Sequence, residues 1–262
     1  MSERALNPSP TAIGIDIGGT GMKGGIVDLA TGTLIGDRVR FDTPKPATPA
    51  AVAEVVAQIV AELATRGEAP DTNSAIGVAF PAIIHQGVAR SASNVDKSWI
   101  GTDVDELFTT RLGREVHVMN DADAAGLAEA HFGAGAGVAG TVLVITLGTG
   151  IGSALIHNGV LIPNVELGHL EIDSAVAESR ASASARERED LSWKEYSKRL
   201  QRFFSHVEFL FSPTLFIIGG GISKRAEDYL PRLSLNTPIT VATSKNNAGI
   251  VGAALQQGLD RA

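Results

Sequence analysis

Apolar and polar positions alternate in short blocks along the chain, and this pattern predicts strands mixed with amphipathic helices. In the first half, apolar runs bounded by glycine or polar residues predict the strands Thr11–Asp16, Met22–Asp28, Thr33–Asp42, Ala75–Phe80 and Glu115–Met119. Thr48 followed by proline predicts the start of a helix, whose apolar stripe runs from Val52 to Leu63. A second helix is predicted over Ala122–Phe132.

The opening pattern recurs in the second half of the chain. A strand, a glycine turn and a returning strand are predicted at Thr141–Leu147, Gly148–Gly152 and Ser153–His157. A long amphipathic helix, a strand and a closing helix are then predicted at Leu191–Phe211, Leu215–Ile218 and Ala248–Leu259. This recurrence indicates an internal duplication and predicts two related lobes with a central cleft.

The first predicted lobe spans residues 11–120, and a closing helix at 247–262 is expected to pack back on it. The second predicted lobe spans residues 121–246. The connector Gly133–Gly140, which is rich in glycine and alanine, is the strongest boundary signal between the lobes. Among the 262 residues, 44% are hydrophobic, 19% are charged and 29 are glycine, the profile of an ordinary α/β enzyme.

Composition also narrows the function classes. The chain has no cysteine, which excludes disulfides, thiolate zinc sites and cysteine nucleophiles and suits a reducing compartment. Neither a signal peptide nor an apolar run of about 20 residues is found, so we expect a cytoplasmic protein without a membrane span. The net charge of −7 argues against nucleic acid as a partner and requires a local basic patch for any polyanionic substrate.

Three glycine runs give the clearest chemical signal. Gly18-Gly19-Thr20-Gly21 and Gly148-Thr149-Gly150 each join two predicted strands, so their backbone N–H groups can converge on a phosphate and their threonine hydroxyls can add donors. The third run, Gly219-Gly220-Gly221, follows another predicted strand. The alternative is that the glycines serve only tight hairpins, but three such runs together favour phosphate binding.

The first glycine turn raises two further questions. Gly19–Gly24 satisfies the dinucleotide fingerprint G-x-G-x-x-G, but that motif requires a helix to begin at the glycines, whereas a strand continues here. Asp16, at the end of the preceding strand, is placed to hold a magnesium ion directly or through water. Lys23 has two interpretations: it contacts the phosphoryl donor, or it faces solvent from its strand.

The junction of a strand and a helix carries Asn120 and Asp121. Asp121 can accept a proton from an attacking hydroxyl, and Asn120 can both donate to and accept from a polyol. The alternative is that the pair caps the following helix, because Asn and Asp lead the capping residues.

A second polar motif places Glu166 and His169 three residues apart around a glycine. Side chains of this mix can bind adjacent hydroxyls. Two alternatives are a metal site that adds Glu171 and Asp173, and a partly buried histidine with an ordinary hydrogen bond.

Four motifs together resemble the ROK family of sugar kinases: Asp16-Ile17-Gly18-Gly19-Thr20, Asn120-Asp121, Glu166-Leu167-Gly168-His169 and Ile218-Gly219-Gly220-Gly221. The resemblance extends from about Ile13 to Ala254. Ser93–Trp99 and Ile145–Ser153 are similar to the polyphosphate-dependent glucokinase branch, and within it to the polyphosphate/ATP glucomannokinase type. The chain departs from that branch at Ala82, where glycine is usual, and at Ser174-Ala175-Val176, which replaces a more polar turn containing glycine.

The resemblance implies an actin-like, ribonuclease H-like ATPase fold and transfer of a phosphoryl group from ATP or inorganic polyphosphate to the 6-hydroxyl of glucose, with mannose as a further acceptor. It implies Asp121 as the catalytic base. The sugar ligands that it implies are Asn94, Asn120, Glu166, His169 and Glu178. The expected donor-binding residues are Asp16 with Mg²⁺, Gly18, Gly19, Thr20, Gly21, Lys23, Gly148, Thr149, Gly150, Gly219, Gly220 and Gly221. A homodimer without the cysteine-rich zinc loop of many family members is expected.

One basic stripe and two rival functions complete the expectations. Lys194, Lys198 and Arg202 recur every four residues on the long helix. We hypothesise that they guide polyphosphate, and the alternative is a solvated helix face.

The rival functions are a sugar-binding protein without catalysis and a sugar-responsive regulator that lacks its DNA-binding domain. A regulator is disfavoured because only about ten residues precede the first strand and the net charge is negative.

Overall fold

The structure is a computed structural model that describes residues 11–92 and 95–256. It divides into two compact units, residues 1–124 together with 249–262, and residues 125–248. The chain passes from the first unit to the second inside the helix Asp121–Phe132. The connector Gly133–Gly140, expected from composition as the boundary, instead lies inside the second unit. There the N–H groups of Gly133 and Gly135 both bind the backbone carbonyl of Glu129 and hold the connector against its helix.

The first unit is built on one five-stranded sheet. Its strands are β1 (Thr11–Ile17), β2 (Gly21–Asp28), β3 (Thr33–Asp42), β4 (Ile76–Phe80), the short β5 (Ile84–His85) and β6 (Val88–Ala89), and β7 (Val116–Asn120). The sheet order is β3-β2-β1-β4-β7. An antiparallel meander, β1 to β3, is followed by β4 and β7, which run parallel to β1.

Two helices pack on this sheet, α1 (Pro49–Ala64) and α2 (Val104–Leu112). A third helix, α3 (Asp121–Phe132), follows β7 and leads into the second unit. Thr48 caps α1 as predicted, accepting a hydrogen bond from Ala51 N. Gly24 lets α1 lie close to β2, because a Cβ there would come within 2.4 Å of Ile59 Cγ2. Helix α2 was not predicted; among its residues only Val104 and Phe108 are buried.

The second unit repeats the same plan. Its strands are β8 (Thr141–Leu147), β9 (Ile151–His157), β10 (Val160–Ile162), the hairpin pair β11 (Glu171–Ile172) and β12 (Ala175–Val176), β13 (Leu215–Gly219) and β14 (Ile239–Val241). The sheet order is β10-β9-β8-β13-β14. Both units thus contain a three-stranded antiparallel meander followed by two parallel strands, so the predicted duplication is confirmed.

The remaining helices are α4 (Ala177–Ala181), α5 (Ala183–Arg188), α6 (Trp193–Phe211), α7 (Ala226–Tyr229) and α8 (Ala248–Leu255). Helix α6 begins two residues later than predicted because Ser192 and Glu195 form a reciprocal cap at its N-terminus. Helix α8 packs directly on β1 and β4, where Gly14 and Gly77 leave room for its backbone. Its predicted end at Leu259 lies outside the described residues. No helix within residues 11–92 and 95–256 is long and apolar enough to cross a membrane.

Candidate active site

The carboxyl edge of the first sheet gathers two of the predicted motifs and Ala82. Strands β1, β4 and β7 are parallel, so their carboxyl ends meet at one edge. The turn Gly18–Gly21 follows β1, Ala82 lies two residues beyond β4, and Asn120-Asp121 ends β7 and begins α3. Ligands of open α/β sheets bind at this edge, so a glycine turn and a carboxylate lie where a ligand would be expected.

The first glycine turn is held by hydrogen bonds that the sequence did not reveal. Gly18 N donates to Gly21 O at 3.1 Å, which closes the turn. Thr43, beyond the end of β3, donates its hydroxyl to Gly18 O at 2.5 Å. Gly19 and Thr20 are exposed at the tip. The turn is therefore fixed from behind while its tip stays accessible to a ligand.

Asp16 lies at the end of β1 beside this turn. Its Oδ2 is 3.5 Å from Nζ of Lys23 on β2. Burial raises the pKa of Asp16, and the positive charge of Lys23 opposes part of that rise. The Lys23 side chain is 27% exposed and pairs with Asp16, and its contact with a donor stays a prediction.

Asn120 is buried and serves as the cap of α3. Its Oδ1 accepts from the backbone N–H groups of Ala122 and Asp123 at 2.8 and 3.1 Å. Its Nδ2 donates to the carbonyl of Ala82 at 3.1 Å. The structure thus shows Asn120 as a cap of the helix. An amide group has two hydrogens, so the second can be donated to a further acceptor. Ala82 makes this contact through its backbone, so the missing glycine does not disturb it.

Asp121 occupies the first position of α3 and is exposed. One carboxylate oxygen, Oδ1, accepts from Ala122 N at 2.9 Å. The positive end of the helix dipole stabilises a negative charge at this position. Asp121 therefore presents its carboxylate at the sheet edge, with one oxygen held by the helix N-terminus.

The second glycine turn lies at the equivalent place in the second unit, between β8 and β9. Gly148 N donates to Gly150 O at 3.0 Å. Ser184 of α5 holds the turn from outside: its N–H binds Gly148 O at 3.1 Å and its hydroxyl binds Thr149 O at 2.5 Å. Like Thr43 in the first unit, Ser184 was not found by sequence reasoning.

The triglycine packs beside this second turn. Gly219 pairs with Thr146 in the parallel β8–β13 ladder. Gly220 has a φ of 83°, and a Cβ there would come within 2.3 Å of the Leu147 carbonyl. Only glycine fits so strained and close a position. The second and third glycine runs are therefore adjacent, as the phosphate-binding hypothesis requires.

Glu166, His169 and Glu178 come together in the second unit. His169 Nε2 is 3.7 Å from Glu178 Oε1, and 53% of the His169 side chain is exposed. Burial raises the pKa of Glu166; His169 opposes that rise and the charge of Glu178 adds to it. Two carboxylates and an imidazole supply the mixture of donors and acceptors that vicinal hydroxyls need.

The same cluster touches the second glycine turn. Glu178 Oε2 accepts from Ile151 N, the residue after the turn, at 3.1 Å. A Cβ at Gly150 would lie 2.4 Å from that oxygen. Gly150 is therefore required for the position of Glu178.

Ser153 and Glu129 are two further supports that sequence reasoning missed. Ser153 Oγ accepts from Leu167 N at 2.9 Å and donates to Val165 O, which fixes the segment around Glu166. Glu129 is 1% exposed and accepts from Thr243 N and Ser244 N at 3.1 and 2.7 Å, which fixes the segment after β14. A single charged residue inside the otherwise apolar run 124–130 was the available signal for Glu129.

The metal alternative for His169 does not match the surroundings of Asp173. Both carboxylate oxygens of Asp173 bind the guanidinium of Arg202, at 2.8 and 2.9 Å. This contact lowers the pKa of Asp173. Both oxygens of Asp173 are thus occupied by an arginine, and the described residues contain no group of three His, Asp or Glu side chains that could hold a metal ion. Asn94, the remaining implied sugar ligand, lies outside the described residues.

A model of the ROK family matches residues 12–183, about two thirds of the chain. The chain belongs to the ROK family. The prediction made from the four motifs is therefore confirmed.

Relatives within the ROK family cover nearly the whole chain. A solved inorganic polyphosphate/ATP-glucomannokinase from Arthrobacter sp. strain KM is 68% identical, has a TM-score of 0.91, and the match covers 96% of this chain and 99% of that one. Polyphosphate glucokinase of Mycobacterium tuberculosis is 49% identical over 248 residues, covering 94% of this chain and 91% of the relative. A ROK glucokinase from Streptomyces griseus, solved with glucose and AMPPNP, is 25% identical with a TM-score of 0.79 over 93% of this chain and 98% of that one.

These relatives confirm the predicted α/β actin-like fold and the similarity to the polyphosphate glucokinase branch. Within the first unit, the structure brings together Asp16, Lys23, the first glycine turn, Asn120 and Asp121. Within the second unit, the second glycine turn lies beside the triglycine and contacts Glu178. Glu178 in turn lies close to Glu166 and His169. The ligand-binding roles of these residues stay predictions.

Proposed function

We propose that this chain transfers a phosphoryl group from inorganic polyphosphate or ATP to the 6-hydroxyl of glucose. One observation carries the proposal: a glucomannokinase that uses both donors is 68% identical over 96% of the chain. The two braced glycine turns, the triglycine and the Glu166–His169–Glu178 cluster supply groups suited to phosphates and hydroxyls.

Glu166, His169 and Glu178 bind hydroxyl groups of the sugar in this proposal. Carboxylates accept hydrogen bonds and the imidazole can donate or accept, so the three side chains distinguish the direction of each hydroxyl. Glu178 is held by Ile151 N, and Glu166 by the turn that Ser153 supports. Asn120, whose Oδ1 already caps α3, has an amide hydrogen for a sugar oxygen.

Asp121 orients the 6-hydroxyl and takes its proton as the new bond to phosphorus forms. Phosphoryl transfer has a loose transition state, so positioning and charge stabilisation carry most of the catalysis and the proton leaves late. A general base typically contributes about 10²–10⁴-fold. Convergent N–H groups of the glycine turns supply stabilisation for the transferring group.

Magnesium fits the residues beside the first glycine turn. This ion is usually held by one or two carboxylates together with substrate phosphates and water, and Asp16 offers a carboxylate with 21% of its side chain exposed. When bound, magnesium would neutralise charge on the donor phosphates. Lys23, 3.5 Å from Asp16, orients that carboxylate and lies on the same side of the turn.

The proposal is tested by assaying the purified protein with ATP and with polyphosphate against glucose, mannose and several other hexoses. Phosphorylation of glucose by either donor is the expected result, measured by coupled detection of the hexose phosphate. Glucose binding in calorimetry without turnover by any donor would instead identify a sugar-binding protein without catalysis.

Three finer features extend the proposal. Mannose is included as a second acceptor because the glucomannokinase relative carries it in its name. A homodimer and a cytoplasmic location are expected from the family resemblance. Light scattering of the purified protein measures the first, and fractionation of the source cells measures the second.

A further inference from the structure

The second unit contains a basic cavity that the proposed chemistry does not use. Its volume is about 200 Å³, and it lies between the β11–β12 hairpin, α4 and α6. The floor is apolar and includes Ile172 and Phe203. The rim carries the cationic side chains of Arg180, Lys198, Arg199 and Arg202 and the carboxylate of Asp173.

Only part of this positive charge is balanced inside the protein. Arg202 forms a two-pronged ion pair with Asp173, and Arg199 binds Glu189 at 2.6 Å. Among residues 11–92 and 95–256, neither Arg180 nor Lys198 has a carboxylate within ion-pair distance. Both still act on nearby carboxylates, because Arg180 helps to lower the pKa of Asp173 and Lys198 that of Glu195. The cavity is thus lined by four cationic side chains and one carboxylate, in a chain whose net charge is −7.

We infer that this cavity is a binding site for a phosphate group, separate from the glycine turns. Arginine and lysine are the preferred partners of phosphate, and Arg180 and Lys198 reach it from two different elements, α4 and α6. A local cluster of cations is what an acidic protein needs to hold a polyanion. With a volume of about 200 Å³, the cavity has room for a phosphate group.

The cavity is mechanically connected to the proposed sugar cluster through α4. This helix has only five residues; Glu178 contacts Ile151 on one side and Arg180 lines the cavity two residues later. Successive helical residues are 1.5 Å apart along the axis, so a phosphate held by Arg180 restrains the helix that carries Glu178. The ligand itself is assigned from the proposed function: a polyphosphate chain, or the hexose phosphate that the reaction makes.

A matched pair of variants tests the site. Lys194 and Lys198 lie one turn apart on α6. Of the basic stripe Lys194, Lys198 and Arg202, the last two line the cavity and Lys194 does not, so the inference narrows the stripe hypothesis to Lys198 and Arg202. Calorimetry on the whole protein, with glucose and AMPPNP saturating, measures binding of tripolyphosphate, glucose 6-phosphate and inorganic phosphate. Lys198→Gln and Arg180→Gln are expected to weaken binding of at least one of them about tenfold. Lys194→Gln removes the same charge and is expected to leave binding unchanged, and Lys198→Arg to retain it.

The two ligand sources give different results. If the site takes polyphosphate, Lys198→Gln weakens tripolyphosphate binding and raises the KM for long polyphosphate but not for ATP. If it takes the product, the variant weakens binding of glucose 6-phosphate and relieves product inhibition with both donors. Equal binding of all three anions by the Lys194→Gln and Lys198→Gln variants overturns the inference. Because binding is measured without turnover, a failure here is distinct from absence of kinase activity.

Discussion

At the scale of single residues, Asp121 combines an exposed carboxylate with a backbone contact that fixes its direction. Asp121→Asn keeps the size of the side chain and its contact with Ala122 N but removes the basic oxygen. We expect kcat to fall about 10²–10⁴-fold while the KM for glucose changes little. Steady-state kinetics with both donors measure this. Asp37→Asn, an exposed aspartate of the same unit, is the control and should retain full turnover; retention by Asp121→Asn would remove this residue from catalysis.

Gly150 gives a second prediction at this scale, because its missing side chain leaves room for Glu178. In Gly150→Ala the new methyl group would lie 2.4 Å from Glu178 Oε2, so that flexible carboxylate must leave its position at Ile151 N. Loss of one charged hydrogen bond to the sugar should raise the KM for glucose about tenfold or more. Gly148→Ala in the same turn meets no atom within 4 Å and should leave that KM near the original value. An equal KM in both variants would mean that Glu178 does not bind the sugar.

The residues that sequence could predict are those whose motif is local. Gly18–Gly21 and Asn120-Asp121 are read from consecutive letters at the end of a strand, and the structure places both at one sheet edge. Thr43 and Ser184, which brace the two turns, lie 25 and 35 residues from the oxygens that their hydroxyls bind. Their role depends on tertiary packing, which no pattern of neighbouring residues encodes.

At the scale of elements, the β11–β12 hairpin resolves the departure at Ser174-Ala175-Val176. Both residues of its two-residue loop have positive φ, 52° at Asp173 and 59° at Ser174. Such a loop favours glycine or asparagine. The chain therefore forms the hairpin without the expected glycine. Its backbone takes the same left-handed conformation, which is strained for a residue with a side chain.

Ser174→Gly should relieve that strain. The left-handed conformation costs an ordinary residue roughly 1–2 kcal/mol, and glycine loses about 0.5–1 kcal/mol in entropy, so we expect a net stabilisation of about 0.5–1 kcal/mol. Urea denaturation followed by circular dichroism measures the free energy of unfolding. Ala175→Gly, one residue later and without positive φ, should lose stability instead. A destabilised Ser174→Gly variant would show that the loop is not strained.

Element prediction succeeded where hydrophobic periodicity was long. Helix α6 buries Tyr196, Leu200 and Phe203 on one face, and its existence and end were predicted. The short helices α4 and α5 and the strand β14 were not, since elements of three to six residues contain too few positions for a period to be recognised.

At the scale of the whole molecule, the two sheets have one topology, and the glycine turn occupies the same hairpin in each. The units differ at the edge beyond the turn: the first has Asn120-Asp121 after its last parallel strand, and the second has Thr243 and Ser244 held by buried Glu129. The repeated plan thus gives each unit one glycine turn, while the exposed aspartate lies on one unit and the Glu166–His169–Glu178 cluster on the other.

A partly buried carboxylate that serves function is expected to lower the stability of the whole fold, and Glu166 allows this expectation to be tested. Burial raises its pKa in the folded protein above that of the unfolded chain. The folded state therefore binds more protons between the two pKa values, so stability falls as pH rises through that window. Above that window Glu166 lowers the stability of the fold, while its carboxylate oxygens serve the proposed sugar contact.

Glu166→Gln should therefore raise the melting temperature at pH 7 and lose that advantage as the pH falls through the pKa of the unfolded chain, near 4. The same variant should raise the KM for glucose, because a neutral amide replaces an acceptor oxygen with a donor. Thermal unfolding from pH 4 to 8 measures the first effect, and kinetics at pH 7 the second. Glu171→Gln, at an exposed carboxylate of the neighbouring strand, should change the melting temperature little at any pH. A Glu166→Gln variant that is no more stable than the original chain at pH 7 would contradict the prediction. It would mean that contacts within the cluster offset the burial of this carboxylate.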